Sequence, residues 1–380
     1  MIYRFIDNEG TFVVKDPHKY NLYFPLTNKD GSILSSISPN LAGDIKRDNE
    51  HFLMPPASIE DLRSNILNRR DFFIKTDKET IRASDGYEDI LEAGFLYHKI
   101  TKKAGPLEIE ILNFVPYDAA VEITRVAVRN KGAQPVKITP TSFIPLYGRS
   151  EKCLRDHRHV TSLLNRIYLD TYGIVLKPTM VFDEKGHKAN EDMYYVLGFE
   201  GQKIAPLGQF PTLDYFFGES DITRPDAIEK KVKPASKKLP EFDGKESCAA
   251  FRFKAKTLEK NDTAEYFLCA GIDTARENIQ NTFNRFDRPQ KIQKSLEETK
   301  KYWLNYLSAL EFDFKDKNYN NWLLWVKLQP TLRKLFGCSF LPHFDYGKGG
   351  RGWRDLWQDA LTLLLTQAGP GARSFILNNF

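Results

Sequence analysis

Over roughly the first 270 residues the apolar side chains recur at every second position, and this period most restricts what the chain can fold into. "GFLYHKITKKAGPLEIEILNFVP" (94–116) is two β-prone runs around a Lys-Ala-Gly-Pro turn, which reads as a hairpin. "VEITRVAVRNKGAQPVKITPTSFIPL" (121–146) repeats the plan, with Asn130-Lys131-Gly132 at the turn. "RIYLDTYGIVLKPTMVFDEKGHKANEDMYYVLGFEG" (166–201) and "AAFRFKAKTLEKNDTAEYFLCAGI" (249–272) continue it. Parallel strands would need long crossover helices, and no such pattern intervenes. Strands this numerous with short polar turns predict a large antiparallel β-sandwich. A single short helix is expected at 57–68, "ASIEDLRSNILN", where Ser58 can cap and Asp61 follows three residues later.

The period changes near residue 274. "DTARENIQNTFNRF" and "RPQKIQKSLEETKKYWLNYLSALEF" carry apolar residues at helical spacing with charges between them. "NYNNWLLWVKLQPTLRKLFGCSF" is a further helix, in which Pro330 is expected to kink or break the run. The expected division is a sandwich over 1–272, a helical linker over 273–315 and the start of an all-helical domain over 316–380. So few helices close a poor core, so the chain reads as the N-terminal portion of something longer.

Charge and cysteine usage narrow the class. The 55 basic and 50 acidic residues leave a net charge of only +5 over 380 residues, too slight an excess for a nucleic-acid binder. The local basic run "KKVKPASKKLP" (230–240) is interrupted by Pro, Ser and Ala and has no interleaved aromatic, so it reads as a solvated loop. Cys153, Cys248, Cys269 and Cys338 are scattered without a CxxC pair, as in a reducing compartment. The N-terminal "MIYRFIDNEGTF" lacks the apolar core of a signal peptide, and no apolar run approaches the ~18 residues of a membrane span. The expectation is a cytoplasmic protein with no membrane contact.

The stretch with most chemistry is "GGRGWRDLWQDALTLLL" (349–365). On a helix, Arg351, Arg354, Asp355, Gln358 and Asp359 fall on one stripe, and Leu356, Ala360, Leu363 and Leu364 on the opposite, buried one. A solvated face with Arg–Asp pairs at i, i+4 is the plain reading. Three features favour a binding site. Trp353 and Trp357 flank the stripe, and an indole is costly to expose. The stripe holds no Lys or Glu, only planar hydrogen-bonding groups. Carboxylates and amides accept from paired hydroxyls, arginine donates a fork, and an indole covers an apolar ring face, which is how a carbohydrate is held. The preceding Gly-Lys-Gly-Gly lets the backbone turn sharply, and Lys348 with Arg351 could hold a phosphate; no Lys-Ser/Thr follows, so it is not a nucleotide loop.

"GRGWRDLWQDAL" resembles the sugar-site segment at the start of the (α/α)6 barrel in glycoside hydrolase family 94, the inverting disaccharide phosphorylases. The order of sandwich, helical linker and barrel is also that family's. "HRHVTSLLNRIYLDTYGIVLKP" and "FFGESDITRPDAI" are similar to its sandwich segments, and "KYNLYFPLTNKDGSILSSISPNLAGDIK" (19–46) is most similar to the laminaribiose branch. The resemblance implies that Arg354, Asp355 and Asp359 bind hydroxyls of the transferred glucosyl unit, with Arg351 near the phosphate or the same sugar and Gln358 a weaker candidate; on the physical reading above, Trp353 or Trp357 forms part of the wall. It implies no cofactor and no metal: inorganic phosphate is a co-substrate. The family's general-acid aspartate lies in a tryptophan-containing segment further along the barrel, so the catalytic acid is expected beyond Phe380.

The implied reaction is phosphorolysis of a β-linked gluco-disaccharide, laminaribiose by preference or else cellobiose, to α-glucose 1-phosphate and a free sugar. One protein acid protonates the glycosidic oxygen while phosphate attacks from the opposite face. The rivals are a non-catalytic carbohydrate-binding sandwich and an inverting hydrolase with a second carboxylate. The resemblance further implies a homodimer in which one sandwich closes over the partner's sugar site. "NLAGDIKRDNEHFLMPP" (40–56), read as a long loop of mixed polarity, suits the rim of that interface. His157 and His159 beside Asp156 and Arg158 read as a surface or packing feature, not a metal site. No Ser-His-Asp arrangement can be read from seven scattered histidines, and the acids of 88–90 and 311–314 read as solvated edges.

Overall fold

The computed structural model describes residues 2–58, 69–154, 158–183, 186–337, 352–366 and 369–377. Its centre is a ten-stranded sheet. In spatial order the strands are Arg4–Phe5, Phe12–Lys15, Glu88–Gly94, Tyr97–Ala104, Leu107–Phe114, Val121–Asn130, Thr263–Asp273, Met193–Glu200, Gly173–Leu176 and Ile167–Asp170. Facing it is a six-stranded sheet whose spine is Val136–Leu146, joined by Gly208–Thr212, Ser247–Arg252, Asp71–Lys75, Thr80–Arg82 and Lys256–Leu258. A four-stranded sheet holds Phe24–Thr27, Leu34–Ile37, Ile45–Asp48 and His51–Phe52. Every strand pairing among the described residues is antiparallel.

The hairpin of 94–116 is built on a two-residue turn: Ala104 pairs with Leu107, and Gly105 takes the left-handed conformation at φ +56° that glycine alone adopts without strain. The segment 121–146 is not a hairpin. Val121–Asn130 pairs within the ten-stranded sheet and Val136–Leu146 within the six-stranded one, so residues 131–135 carry the chain between layers. Asn130 fixes that crossing, donating from Nδ2 to the carbonyls of Gln134 (2.8 Å) and Leu258 (2.9 Å). The arch lets both strands bury inward faces against each other, which direct pairing would prevent.

The interior between the layers is aliphatic and aromatic, with Leu26, Ile37, Phe72, Ile100, Ile111, Val126, Ile144, Val196, Phe251 and Tyr266 in one cluster. The outer face of the ten-stranded sheet is covered as well. Helices α1 (Arg276–Phe286) and α2 (Pro289–Leu307) lay Ile279, Phe283, Phe286, Ile292 and Leu296 against Phe114, Ile123, Tyr195, Phe199 and Phe267. A strand covered on both faces has no polar side to show. Accordingly every residue of Met193–Glu200 is buried.

Helix α3 (Lys317–Phe336) begins at Asp316, whose Oδ1 accepts from the amides of Asn318 (2.8 Å) and Tyr319 (3.3 Å). Of the expected kink or break, the break does not occur: the helix runs through the buried Pro330. With Trp303 and Leu307 of α2, its Leu328 and Leu332 pack on Phe95 and Leu96 of the turn between two central strands. Helices α4 (Trp353–Leu365) and α5 (Gly369–Leu377) follow. The helix expected at 57–68 lies, from residue 59 on, outside the described residues, as does Cys338. Cys153, Cys248 and Cys269 are buried. Among the described residues no helix is long and apolar enough to cross a membrane.

Candidate functional site

Helix α4 carries the residues singled out above, and the structure divides them. Trp353, Arg354, Asp355, Trp357 and Gln358 are on its exposed side, the two indoles 61% and 45% exposed. Arg354 approaches Asp355 at 3.5 Å, both side chains well solvated. Asp359 is placed differently. It shares the buried face with Leu356, Ala360 and Leu363 and takes a two-pronged ion pair from Arg333 of α3, whose Nε lies 2.8 Å from Oδ2 and whose second nitrogen reaches Oδ1. This corrects the single polar stripe: Asp359 comes three residues after Leu356 and four before Leu363, which puts it on their side of the helix. Leu364, expected buried, is 52% exposed. Arg351, Lys348 and the glycine-rich turn lie outside the described residues.

The bond to Asp359 holds the Arg333 guanidinium above its ordinary pKa, outweighing its partial desolvation. Sequence reasoning did not single out Arg333. Its position in the last turn of α3 says nothing of a partner 26 residues on. The exposed side of α4 thus presents an arginine, a carboxylate and an amide between two indoles, a set able to bind hydroxyls and cover an apolar sugar face. Trp353, Trp357, Leu361 and Leu364 also form an exposed apolar stripe at helical spacing.

A second concentration of polar groups sits inside the sandwich. Arg70, just ahead of the strand Asp71–Lys75, forks onto Glu122, with Nε to Oε1 at 2.6 Å and a second nitrogen to Oε2 at 2.7 Å. Ser35 donates to the same carboxylate and accepts from Arg70 at 2.8 Å. His98, Asn113 and Thr124 lie in register across three neighbouring strands beside this pair, with Asn113 donating to Thr124 Oγ1 at 2.6 Å. His98 is fully buried; burial first, then Arg70 and Lys102, push its imidazole down to about 3, so it is neutral. Further along the same face Lys102 donates to Asp89 at 2.8 Å, and His18 bonds the same oxygen. Against the desolvation of burial, His18 and Lys102 hold Asp89 below the usual carboxylate range. These charges pair internally and tie the layers together.

The stretch 40–56 also departs from its sequence reading. It is not a loop: it contains the paired strands Ile45–Asp48 and His51–Phe52, and Leu41, Ile45, Phe52, Leu53 and Met54 are at most 2% exposed. Only the hairpin tip reaches solvent, and an ion cluster pins it. Arg47 forks onto Asp192 at 2.7 and 3.1 Å, while His51 bonds Asp48 through Nδ1 (2.6 Å) and Asp192 through Nε2 (3.1 Å). Burial alone would lower the His51 pKa, but the two carboxylates push it up to about 9. Among the described residues no group of three or more His, Cys, Asp or Glu is placed to hold a metal; His157 and the side chain of His159 lie outside the description.

Comparison with known proteins adds the family. Among solved structures, a putative kojibiose phosphorylase from the human microbiome matches over 87% of this chain and 43% of its own, at 9% identity and a TM-score of 0.45. A bacterial glucoamylase complexed with acarbose matches over 91% of this chain and 40% of its own, at 9% identity and a TM-score of 0.36. A putative aldose 1-epimerase from Escherichia coli matches over 67% of this chain and all of its own, at 10% identity and a TM-score of 0.37. The chain therefore spans less than half the length of the first two, and likeness at this level carries no argument about activity. No curated protein matches by sequence. The model of the glycosyl hydrolase 94 supersandwich domain matches residues 71–289, more than half of the 380. On that match, the chain belongs to the glycosyl hydrolase 94 supersandwich-domain family.

Proposed function

We propose that this chain is the sandwich end, with the first barrel helices, of an inverting phosphorylase acting on a β-linked gluco-disaccharide, laminaribiose before cellobiose. The observation that carries the reading is the family match over 71–289. Residues 1–272 form the sandwich in this reading, 273–315 the linker, and 316–380 open an (α/α)6 barrel. The exposed Leu361 and Leu364 on α4 support that last point, because they are apolar side chains that a further helix would cover while the indoles stay open.

The mechanism needs one protein acid and an inorganic phosphate. The acid protonates the glycosidic oxygen, and phosphate attacks the anomeric carbon from the opposite face to give α-glucose 1-phosphate. The task assigned to this chain is to hold the glucosyl unit. Arg354, Asp355 and Gln358 would take its hydroxyls, Trp353 or Trp357 its apolar face, and Arg351 the phosphate or the same sugar. Asp359 then acts through Arg333, fixing α4 against α3, instead of touching sugar directly. A homodimer that closes one sandwich over the partner's sugar site belongs to the same reading; with the core of 40–56 packed inside its own chain, only the hairpin tip 46–51 is left to reach a neighbour.

The test is phosphate dependence of disaccharide cleavage by the full-length protein. Cleavage of laminaribiose only with phosphate supports the reading. Cleavage that ignores phosphate points to a hydrolase, and sugar binding without cleavage to a binding module.

A further inference from the structure

A cleft of about 780 Å3 opens where the loop between α2 and α3 faces the N-terminal loop 7–10. Two adjacent asparagines in the first turns of α3 build its walls. Asn320 accepts from the Phe314 amide (2.9 Å) and donates to the Phe314 carbonyl (3.0 Å), clamping loop 311–316 onto the helix. Asn321 accepts from the Gly10 amide (3.1 Å) and donates to the Asp7 carbonyl (2.7 Å), which fixes the opposite wall. The buried Lys327 ammonium closes the floor by donating to the carbonyls of Leu307 (2.6 Å) and Leu310. The cleft is therefore set in shape before anything binds.

Its surface is of two kinds. Phe312 and Phe314 line it with ring centroids 6.4 Å apart, and Tyr319 and Trp322 continue the ring-to-ring run beyond its lining at 5.0 and 5.7 Å; each of the four is 44–46% exposed. Beside the first two stand Asn8, Glu311, Asp313, Lys315 and Lys317, all exposed. The rim holds two acids and two solvated lysines, so it has no net sign, and the one further charge, Lys327, is engaged by two backbone carbonyls at the floor. An apolar partner would desolvate four charges, a cost that argues against it. A charged ligand would meet as much repulsion as attraction. A neutral polyol suits both halves: its C–H faces lie on the rings and its hydroxyls exchange hydrogen bonds with the carboxylates, ammonium groups and Asn8. The volume is in the ~300–1,000 Å3 range of small-molecule sites.

We propose that this cleft binds a neutral gluco-oligosaccharide at a site separate from α4, with Phe312 and Phe314 as the stacking surface. The choice of gluco-units rests on the functional reading above; the neutrality and the stacking rest on the cleft. The test is affinity electrophoresis of the 380-residue chain in native gels containing laminarin or soluble cellulose derivatives. Retardation is expected for the wild type, with a loss of affinity of about tenfold on removing both rings in Phe312→Ala/Phe314→Ala. Glu311→Gln/Asp313→Asn, which leaves the rings in place, should weaken retardation without changing far-UV circular dichroism. No retardation of the wild type in any of these gels overturns the proposal. So does retardation that survives both double variants, or that is lost on Trp357→Ala while Phe312→Ala/Phe314→Ala keeps it. Phosphate-dependent cleavage by the full-length protein alongside such a result would leave the functional reading standing and remove the cleft alone.

Discussion

At the scale of single residues, the polar groups that matter most to stability sit on faces the sequence pattern marks as apolar. Asp359 occupies a buried helix face and answers Arg333, so Asp359→Ala removes one partner of a largely desolvated pair. A loss of about 1.5–3 kcal/mol is expected, against under about 0.5 kcal/mol for the solvated Asp355→Ala, read from urea denaturation midpoints. Equal effects would contradict the placement of Asp359. Its position could have been read from its spacing to Leu356 and Leu363; the identity of Arg333 as partner could not. Arg70 and Glu122 make the same point deeper in the molecule. Arg70→Met leaves Glu122 charged and buried, so a loss of about 3–5 kcal/mol is expected, with much of it recovered in Arg70→Met/Glu122→Leu. Denaturation midpoints check this, and a double variant no more stable than the single one contradicts it. Glu122, Thr124 and Val126 alternate along one strand face, and nothing in that alternation separates a paired buried glutamate from a solvated one.

At the scale of elements, period two identified strands well and their partners less well. Ala104 and Leu107 close the turn that the Lys-Ala-Gly-Pro signal marks, because a two-residue turn leaves adjacent strands no other neighbour. Asn130-Lys131-Gly132 carries an equally good turn signal and yet joins two sheets, since packing between layers decides where the strand after a turn goes. The stretch 40–56 was unreadable for another reason: its strands are four and two residues long, too short to show a period. The clasp at their tip has a defined pH response. The His51 pKa lies near 9, above its ordinary 6.5, so the protonated ring stabilises the tip fully below pH 6.5 and the stabilisation is lost as pH rises through about 9. Asp48 and Asp192 are held down at about 2, so their share is present above 3.8 and is lost as pH falls through about 2. The ring-proton NMR titration of His51 should show a midpoint near 9 that falls toward 6.5 in Asp192→Asn. A wild-type midpoint at 6.5 would mean the clasp does not form.

At the scale of the whole molecule, the layered antiparallel architecture was legible because strands at this density, with short polar turns, have few other ways to bury their apolar faces. The doubly covered central sheet was not, since the helices that cover it come from sequence beyond the strands and read only as amphipathic. Family membership rests on the sandwich, whereas the chemistry proposed for the protein rests on a barrel that α3 to α5 would begin. The most direct test of that account is the proton NMR spectrum of the full-length protein's product from laminaribiose in phosphate buffer. The anomeric signal of α-glucose 1-phosphate, absent when phosphate is left out, is the predicted result; free glucose formed equally with and without phosphate, or the β-anomer of the phosphate, would contradict it.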